Sequence, residues 1–402
     1  MKKFLKKIIP DFVFQIYHWK LALLGALIYG FPSKKIKVIG ITGTNGKSTV
    51  VYLTSRLLEK AGYKIASISS VEFKIGDKIW PNDLKMTMPG RFKIQKFIRE
   101  AVNQGCDYLI LETTSEGIKQ YRHKFINYQT AVLTNLTLEH IESHGSFENY
   151  KKTKGELFKI AKKIIVNADD ENADYFLDLG EEKLIYSLKD VKNIQLTRNG
   201  AEFLFNNINF KTNLLGEFNI YNALASITIC LSENISLDKI NFENIRNIPG
   251  RLEIIIKEPF TVIVDYAHTP DALEKVYQTA KLFNHRIIGV LGSAGGGRDK
   301  WKRQEMGKIA DKYCDEIIIT NEDPYDEDPQ KIIDEVANGI KNKTAIKIID
   351  RQKAIQKALQ SAEQGDIVII TGKGCEPWMC VAGGKKISWD DRKIVREEFE
   401  KL

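Results

Sequence analysis

Gly40-Ile41-Thr42-Gly43-Thr44-Asn45-Gly46-Lys47-Ser48-Thr49 decides how this chain reads. The β-type run Ile36-Lys37-Val38-Ile39 leads into it, and a helix-type run from Thr49 to Ala61, closed by Gly62, leads out. Strand, glycine-rich turn and helix form the setting of a phosphate-binding loop. Gly43 and Gly46 let backbone N–H groups close around phosphate oxygens without Cβ clashes, and the helix N-terminus adds partial positive charge. Lys47 brings a full positive charge, and Ser48 or Thr49 a hydroxyl for Mg²⁺. The generic loop spacing would place a glycine at position 41, yet Ile41 stands there and the glycines fall at 40, 43 and 46.

Outward from the loop, strand-type and helix-type runs alternate. Strand runs at 64–68, 108–111, 130–133 and 163–166 are separated by helical patterns at 91–103 and 147–162, which argues a mainly parallel sheet covered by helices. Residues 193–211 read as short strands with an Asn206-Asn207 turn, and 217–231 as a helix. A second α/β series starts at Gly250-Arg251, with strands near 261–264, 287–291, 316–320, 345–349 and 366–371. Ligands in such sheets bind beyond the carboxyl ends of the strands. The expected architecture is α/β: a P-loop-type central ATPase domain with a parallel sheet over 36–249, a Rossmann-like α/β domain over 250–402, and a short N-terminal segment over 1–35.

Composition narrows the class. The 402 residues are 43% hydrophobic and 28% charged, with a formal net charge of +8, values of an ordinary globular chain. Lysine is spread along the chain without an interleaved basic and aromatic stripe, so nucleic acid is not an expected partner. Five cysteines form no C-x-x-C pair, which suits a reducing cytoplasm and argues against structural zinc. In the first 31 residues Lys2, Lys3, Lys6 and Lys7 precede an apolar run interrupted by Gln15, His18 and Lys20. The uninterrupted part is short of the roughly 20 residues that span a bilayer. The first reading is a helix packed on the next domain; the second is an interfacial helix making peripheral membrane contact.

Chemistry-bearing stretches follow the strands. Glu112, in Glu112-Thr113-Thr114-Ser115, is placed to reach a Mg²⁺ held by the loop hydroxyl. His140 and His144, in His140-Ile141-Glu142-Ser143-His144, have helical spacing, but the glutamate sits one place too late for a zinc protease. Lys154, taken alone, is one lysine among many.

The set Gly43–Thr49, Glu112–Ser115, Asn135–Gly145, Tyr150–Lys154, Gly216–Asn222, Gly250–Glu253, Asp265–Pro270 and Gly372–Glu376 resembles the Mur ligase superfamily in its order. It is most similar to the branch that makes the muramoyl tripeptide, the MurE type. The resemblance implies ATP-dependent, ADP-forming amide synthesis through an acyl phosphate in peptidoglycan precursor formation. It implies that Thr44, Asn45 and Lys47 hold ATP phosphates and that Ser48 and Glu112 hold one of two Mg²⁺ ions. His140 would lie at the second ion, and Lys154 would be carbamylated, becoming a metal-binding carboxylate. Asn219 and Asn222 would face the nucleotide, and Arg251, Asp265, Tyr266 and His268 would close over it. Thr87, Ser115 and Arg122 would hold the UDP-MurNAc-dipeptide acceptor. Arg303, Asp323, Tyr325, Gly372 and Glu376 would hold a free amino acid. A monomer in the cytoplasm is expected.

The match departs from the family in three places besides Thr87-Met88, which stands where the family pairs two threonines before the proline. The family's uridine-binding N-terminal domain has no counterpart before Lys35, which leaves a lipid-linked acceptor or a partner subunit as further readings. The D-N-P-R loop of diaminopimelate enzymes is Glu322-Asp323-Pro324-Tyr325, so the distal carboxylate loses its bidentate arginine. Asp323 offers negative charge that suits an amine-bearing side chain, so a diamino acid is expected, with lysine and diaminopimelate both open. The third departure is Cys375, which stands where the family has histidine. A folylpolyglutamate synthetase-like ligase is the alternative enzyme, set against it by Ser48 and by His268-Thr269-Pro270.

Overall fold

The computed structural model describes residues 11–84, 86–245 and 247–402; the lysine cluster of residues 2–7 lies outside them. The expected strands and helices form, with ends shifted by a few residues. The central sheet contains β1 (Lys37–Thr42), β2 (Ile65–Ile68), β3 (Glu72–Ile75), β4 (Lys78–Pro81), β5 (Tyr108–Glu112), β6 (Tyr128–Leu133), β7 (Lys163–Asn167) and β8 (Glu182–Tyr186). Their order is β4-β3-β2-β5-β1-β6-β7-β8. Six strands run parallel, and the β3–β4 hairpin adds an antiparallel edge. Sequence reading missed that hairpin and β8, whose short runs carry little periodicity.

Both faces of the central sheet are covered, which is why its strands are runs of Val, Ile and Leu rather than alternations. On one face, Ile39, Ile41, Ile110 and Val132 pack with the helices Lys47–Lys60 and Phe218–Ser232. On the other, Val38, Leu109, Leu111 and Ala131 pack with the helices Arg91–Asn103 and Phe147–Phe158. The stretch 193–211 becomes a three-stranded antiparallel sheet, β9 (Val191–Thr197), β10 (Gly200–Phe205) and β11 (Ile208–Thr212). Asn206 and Asn207 turn it with φ of 48° and 61°, angles that asparagine tolerates better than most residues.

The second sheet holds β12 (Glu253–Ile256), β13 (Thr261–Val264), β14 (Ile287–Leu291), β15 (Glu316–Thr320), β16 (Ala345–Ile348) and β17 (Ile367–Ile370), in the order β12-β13-β17-β14-β15-β16. All pairs are parallel except β12–β13. The carboxyl ends of β1, β5, β6 and β7 face those of the second sheet across a cleft of ≈ 1040 Å³ lined by residues of both sheets. At the N-terminus, the helix Asp11–Ile28 packs on Arg91–Asn103. Among the described residues no helix is long and apolar enough to cross a membrane.

Candidate active site

The loop after β1 has the geometry its glycines forecast. Gly43 and Gly46 have φ of 148° and 82°, and a Cβ on them would lie 1.9 Å from Thr134 Oγ1 and 2.4 Å from Asn222 Oδ1. Any side chain there would displace the loop. Lys47 Nζ donates to Thr44 O at 2.7 Å and Gly43 O at 3.1 Å, so its ammonium is held inside the loop's own carbonyls. Burial lowers its pKa, against the pull of Glu112 and Glu139. Asn135 Oδ1 accepts from Asn45 N at 2.9 Å and fixes the loop to the end of β6.

Ser48 opens the helix beneath the loop and donates to Glu112 Oε2 at 2.8 Å. Ser70, a residue the sequence reading passed over, joins them: its hydroxyl lies 2.6 Å from Ser48 Oγ and its N–H donates to Glu112 at 2.9 Å. Arg251 of the C-terminal half donates to Ser70 Oγ at 3.0 Å and approaches Ser48 Oγ at 3.4 Å, with its guanidinium over the Tyr266 ring. Asp265 accepts from Leu252 N and Ala267 N, both at 2.6 Å, and so shapes the backbone that presents Arg251. Arg251→Ala is expected to lower the rate of ADP release by about 10²-fold, with Arg251→Lys intermediate, as read by steady-state assay.

Lys154 comes from the middle of the helix Phe147–Phe158 and is 1% exposed. Its Nζ donates to Gly43 O at 2.7 Å and lies 3.5 Å from Thr42 Oγ1, above the Tyr150 ring. Burial, reinforced by Lys47, holds its pKa well below the ordinary lysine value. A surface role is thereby excluded. His140 lines the same cleft with φ 59°, and burial pushes it down to about 4, leaving a neutral ring able to ligate a metal. His144 instead pairs with Ser115 Oγ at 3.2 Å, outside the cleft lining. Among the described residues no three His, Cys, Asp or Glu side chains converge as a metal cluster.

The two halves meet directly. Asn45 Nδ2 donates to Asp271 Oδ2 at 2.7 Å, and His268 Nε2 lies 3.4 Å from Glu139. Asp299 accepts from Ile141 N at 3.2 Å and Glu142 N at 2.8 Å, the two amides following His140, while Lys300 N donates to Glu142 Oε1 at 3.1 Å. Asn219 and Asn222 bond each other at 2.8 Å, at the start of the helix Phe218–Ser232, and line the cleft with Asn167, Tyr186 and Tyr221.

Thr87, Ser115 and Arg122 line the far end of this cleft. Arg122 is held by neutral groups, Met88 O at 2.5 Å and Gln120 Oε1 at 2.7 Å, and burial lowers its pKa to about 10. A carboxylate ligand is the partner such a guanidinium lacks.

The residues assigned to the amino acid divide. Arg303 is 1% exposed and bound to Glu335 at 2.6 Å and Glu327 at 2.9 Å, and it does not line the cleft. It braces the loop after β14. Arg298 of that loop, which the sequence alone does not single out, lines the cleft and hydrogen-bonds Tyr325. Asp323 accepts from Lys373 Nζ at 2.9 Å and Cys380 N at 2.8 Å, so its charge is already matched. Lys373 also bonds Glu376 at 2.5 Å, and Tyr266 OH reaches Glu376 at 3.3 Å. Glu322 Oε2 is buried and unbonded beside Gly372, and burial together with the neighbouring Asp323 raises its pKa; like Arg303, Glu322 does not line the cleft. Lys373 lies fifty positions from Asp323 in sequence and becomes its neighbour only through the β15–β14–β17 arrangement.

Residues 41–230 match the Mur ligase middle domain and 250–374 the Mur ligase glutamate ligase domain. The UDP-N-acetylmuramoyl-L-alanyl-D-glutamate–2,6-diaminopimelate ligase 1 of Clostridium acetobutylicum is 38% identical over 398 residues, covering 95% of this chain and 82% of that protein. A solved structure of a UDP-N-acetylmuramoyl-L-alanyl-D-glutamate–2,6-diaminopimelate ligase superposes with TM-score 0.61 at 29% identity, covering 91% of this chain and 78% of that one. The folylpolyglutamate synthase of Mycobacterium tuberculosis superposes with TM-score 0.71 at 16% identity, over 88% and 92%, which shows a common fold alone. A phosphate loop with its lysine inside, a buried amine above it and an arginine delivered from the second sheet thus occur in a chain that belongs to the Mur ligase family of ATP-dependent, ADP-forming amide ligases.

Proposed function

We propose that this chain adds a free amino acid with an amine-bearing side chain to the UDP-MurNAc-L-Ala-D-Glu acceptor in the cytoplasm, acting as a monomer. The observation that carries the reading is the convergence of Lys47, the Ser48–Glu112 pair and the buried Lys154 on one loop, with Arg251 arriving from the other sheet. ATP would lie along that loop, its phosphates met by Thr44, Asn45 and Lys47. A free carboxylate cannot expel oxide to an amine, so the acceptor carboxylate is first phosphorylated, and the amine then displaces phosphate. Arg122 orients the acceptor carboxyl end, and closure of the second sheet keeps water from the acyl phosphate.

The donor set fits two Mg²⁺ ions once Lys154 carries a carbamate. Glu112, Ser48 and neutral His140 alone supply one anionic oxygen donor, and a carbamate on Lys154 adds the missing one. Bound Mg²⁺ supplies charge neutralisation at the transferring phosphoryl group. On the amino-acid side, Tyr325 offers no bidentate cation for a distal carboxylate, and Glu322 offers an unmatched buried oxygen for an ammonium. The chemistry itself needs no membrane.

The test is ADP release by the full chain with Mg²⁺, bicarbonate and UDP-MurNAc-L-Ala-D-Glu across an amino-acid panel. Release is expected with lysine above diaminopimelate, and Glu322→Gln is expected to raise the lysine KM about tenfold or more while leaving the ATP KM unchanged. Preference for diaminopimelate would refute the side-chain assignment. Release with a folate and glutamate, but not with the muramoyl acceptor, would refute the acceptor.

A further inference from the structure

The N-terminal helix Asp11–Ile28 is packed inside out. Its small residues Ala22, Gly25 and Ala26 are buried, with Gly25 against the Arg91 backbone. Its large residues face solvent: Phe12 and Ile28 are each 60% exposed, and Ile16, Trp19, Leu24 and Leu27 stand out with them. At about 100° per residue these six side chains sweep roughly half the helix circumference. An ordinary surface helix buries that face, and a contiguous exposed apolar face of this kind marks an interaction site.

The charge around it selects the occupant. Residues 1–35 contain seven lysines, at positions 2, 3, 6, 7, 20, 34 and 35, against the single acid Asp11. Two copies of so cationic a segment repel each other, whereas an anionic lipid surface attracts it. Among the described residues no helix is both long and apolar enough to cross a membrane, and an apolar-faced helix with basic flanks suits the plane of the interface. Lys20 is the one charged side chain on the exposed apolar face, and its stem can lie along the apolar surface while its head reaches lipid phosphates.

We infer that the helix Asp11–Ile28 seats this chain on an anionic membrane surface, its apolar face lying among the acyl chains. The seating also orients the cleft. Tyr17 lies near Arg91, Arg91 donates to Gln120 O, and Gln120 holds Arg122 at the acceptor end. That end therefore lies on the side of the molecule that carries the helix. This orientation rests on the assignment of Arg122 to the acceptor; the membrane seating does not.

Co-sedimentation of the full chain with phosphatidylcholine vesicles, and with vesicles in which about a third of the lipid is phosphatidylglycerol, tests the inference. Binding is expected to be about tenfold or more stronger to the anionic vesicles, and to weaken in high salt. The double variant Leu24→Glu/Leu27→Glu is expected to stay in the supernatant while releasing ADP from soluble substrates at the parent rate. Equal binding to both vesicles, no binding to either, or undiminished binding by the variant would each overturn it. So would a concentration-dependent dimer in light scattering that this variant disperses, because a second copy would then be what covers the face.

Discussion

Lys154→Ala is expected to lower ADP release by about 10³-fold, a loss of about 4 kcal/mol of transition-state stabilisation. The buried amine sits 2.7 Å from Gly43 O, within the phosphate loop, and among the described residues has no carboxylate in hydrogen-bond contact. Burial, reinforced by Lys47, lowers its pKa well below the ordinary lysine value and so favours the neutral amine, the form that reacts with CO₂. Removing the side chain takes away both an amine and the carboxylate that carbamylation would make. Added acetate or propionate is expected to restore part of the activity to Lys154→Ala, and the parent chain is expected to show a ¹³C carbamate resonance in labelled bicarbonate. A lysine that merely packs would give neither result, and Lys154→Arg would then retain activity.

The second large effect concerns stability. Arg351 and Asp391 are both 0% exposed and pair at 2.7 and 2.8 Å. Arg351 also donates to Thr371 O at 2.8 Å and Asn321 O at 3.2 Å, the strand ends from which the Gly372 and Glu322 loops begin. Asp391→Ala leaves a buried guanidinium unpaired and is expected to cost about 3–5 kcal/mol, read as a lower urea midpoint for the C-terminal half. The double variant Arg351→Met/Asp391→Leu should recover part of that loss, because it leaves no buried charge unpaired while Thr371 O, Asn321 O and Trp389 Nε1 lose their partners. A double variant as unstable as the single would place the cost in lost packing.

Arg351 also shows where sequence reasoning stops. Sequence periodicity was enough to locate the helix Arg351–Ser361, since Ala354, Ile355, Ala358 and Leu359 recur on one face. Its partner Asp391 lies forty residues on, in a helix whose mean hydropathy is low and which sequence reading left unassigned. The same contrast runs through the site. Glu112 and Lys47 were legible because each sits at a fixed offset from a strand or glycine, and backbone geometry delivers them to the loop. Lys154 was legible only by resemblance, because nothing local separates it from Lys151 and Lys152. Ser70, Glu322 and Arg298 owe their places to the order of strands in the sheets, and that order is a long-range property no local pattern encodes.

Asp299 has a consequence of this kind. It belongs to the C-terminal half, yet it caps the amides of Ile141 and Glu142 and so steadies the turn on which His140 sits at φ 59°. A non-glycine residue in that region is strained and persists where its surroundings hold it. Any rotation that parts the two sheets withdraws the cap and slackens the His140 turn in one movement. The geometry of the His140 turn therefore depends on the two sheets staying together: one acid of the C-terminal half sets the backbone of a cleft residue in the other half.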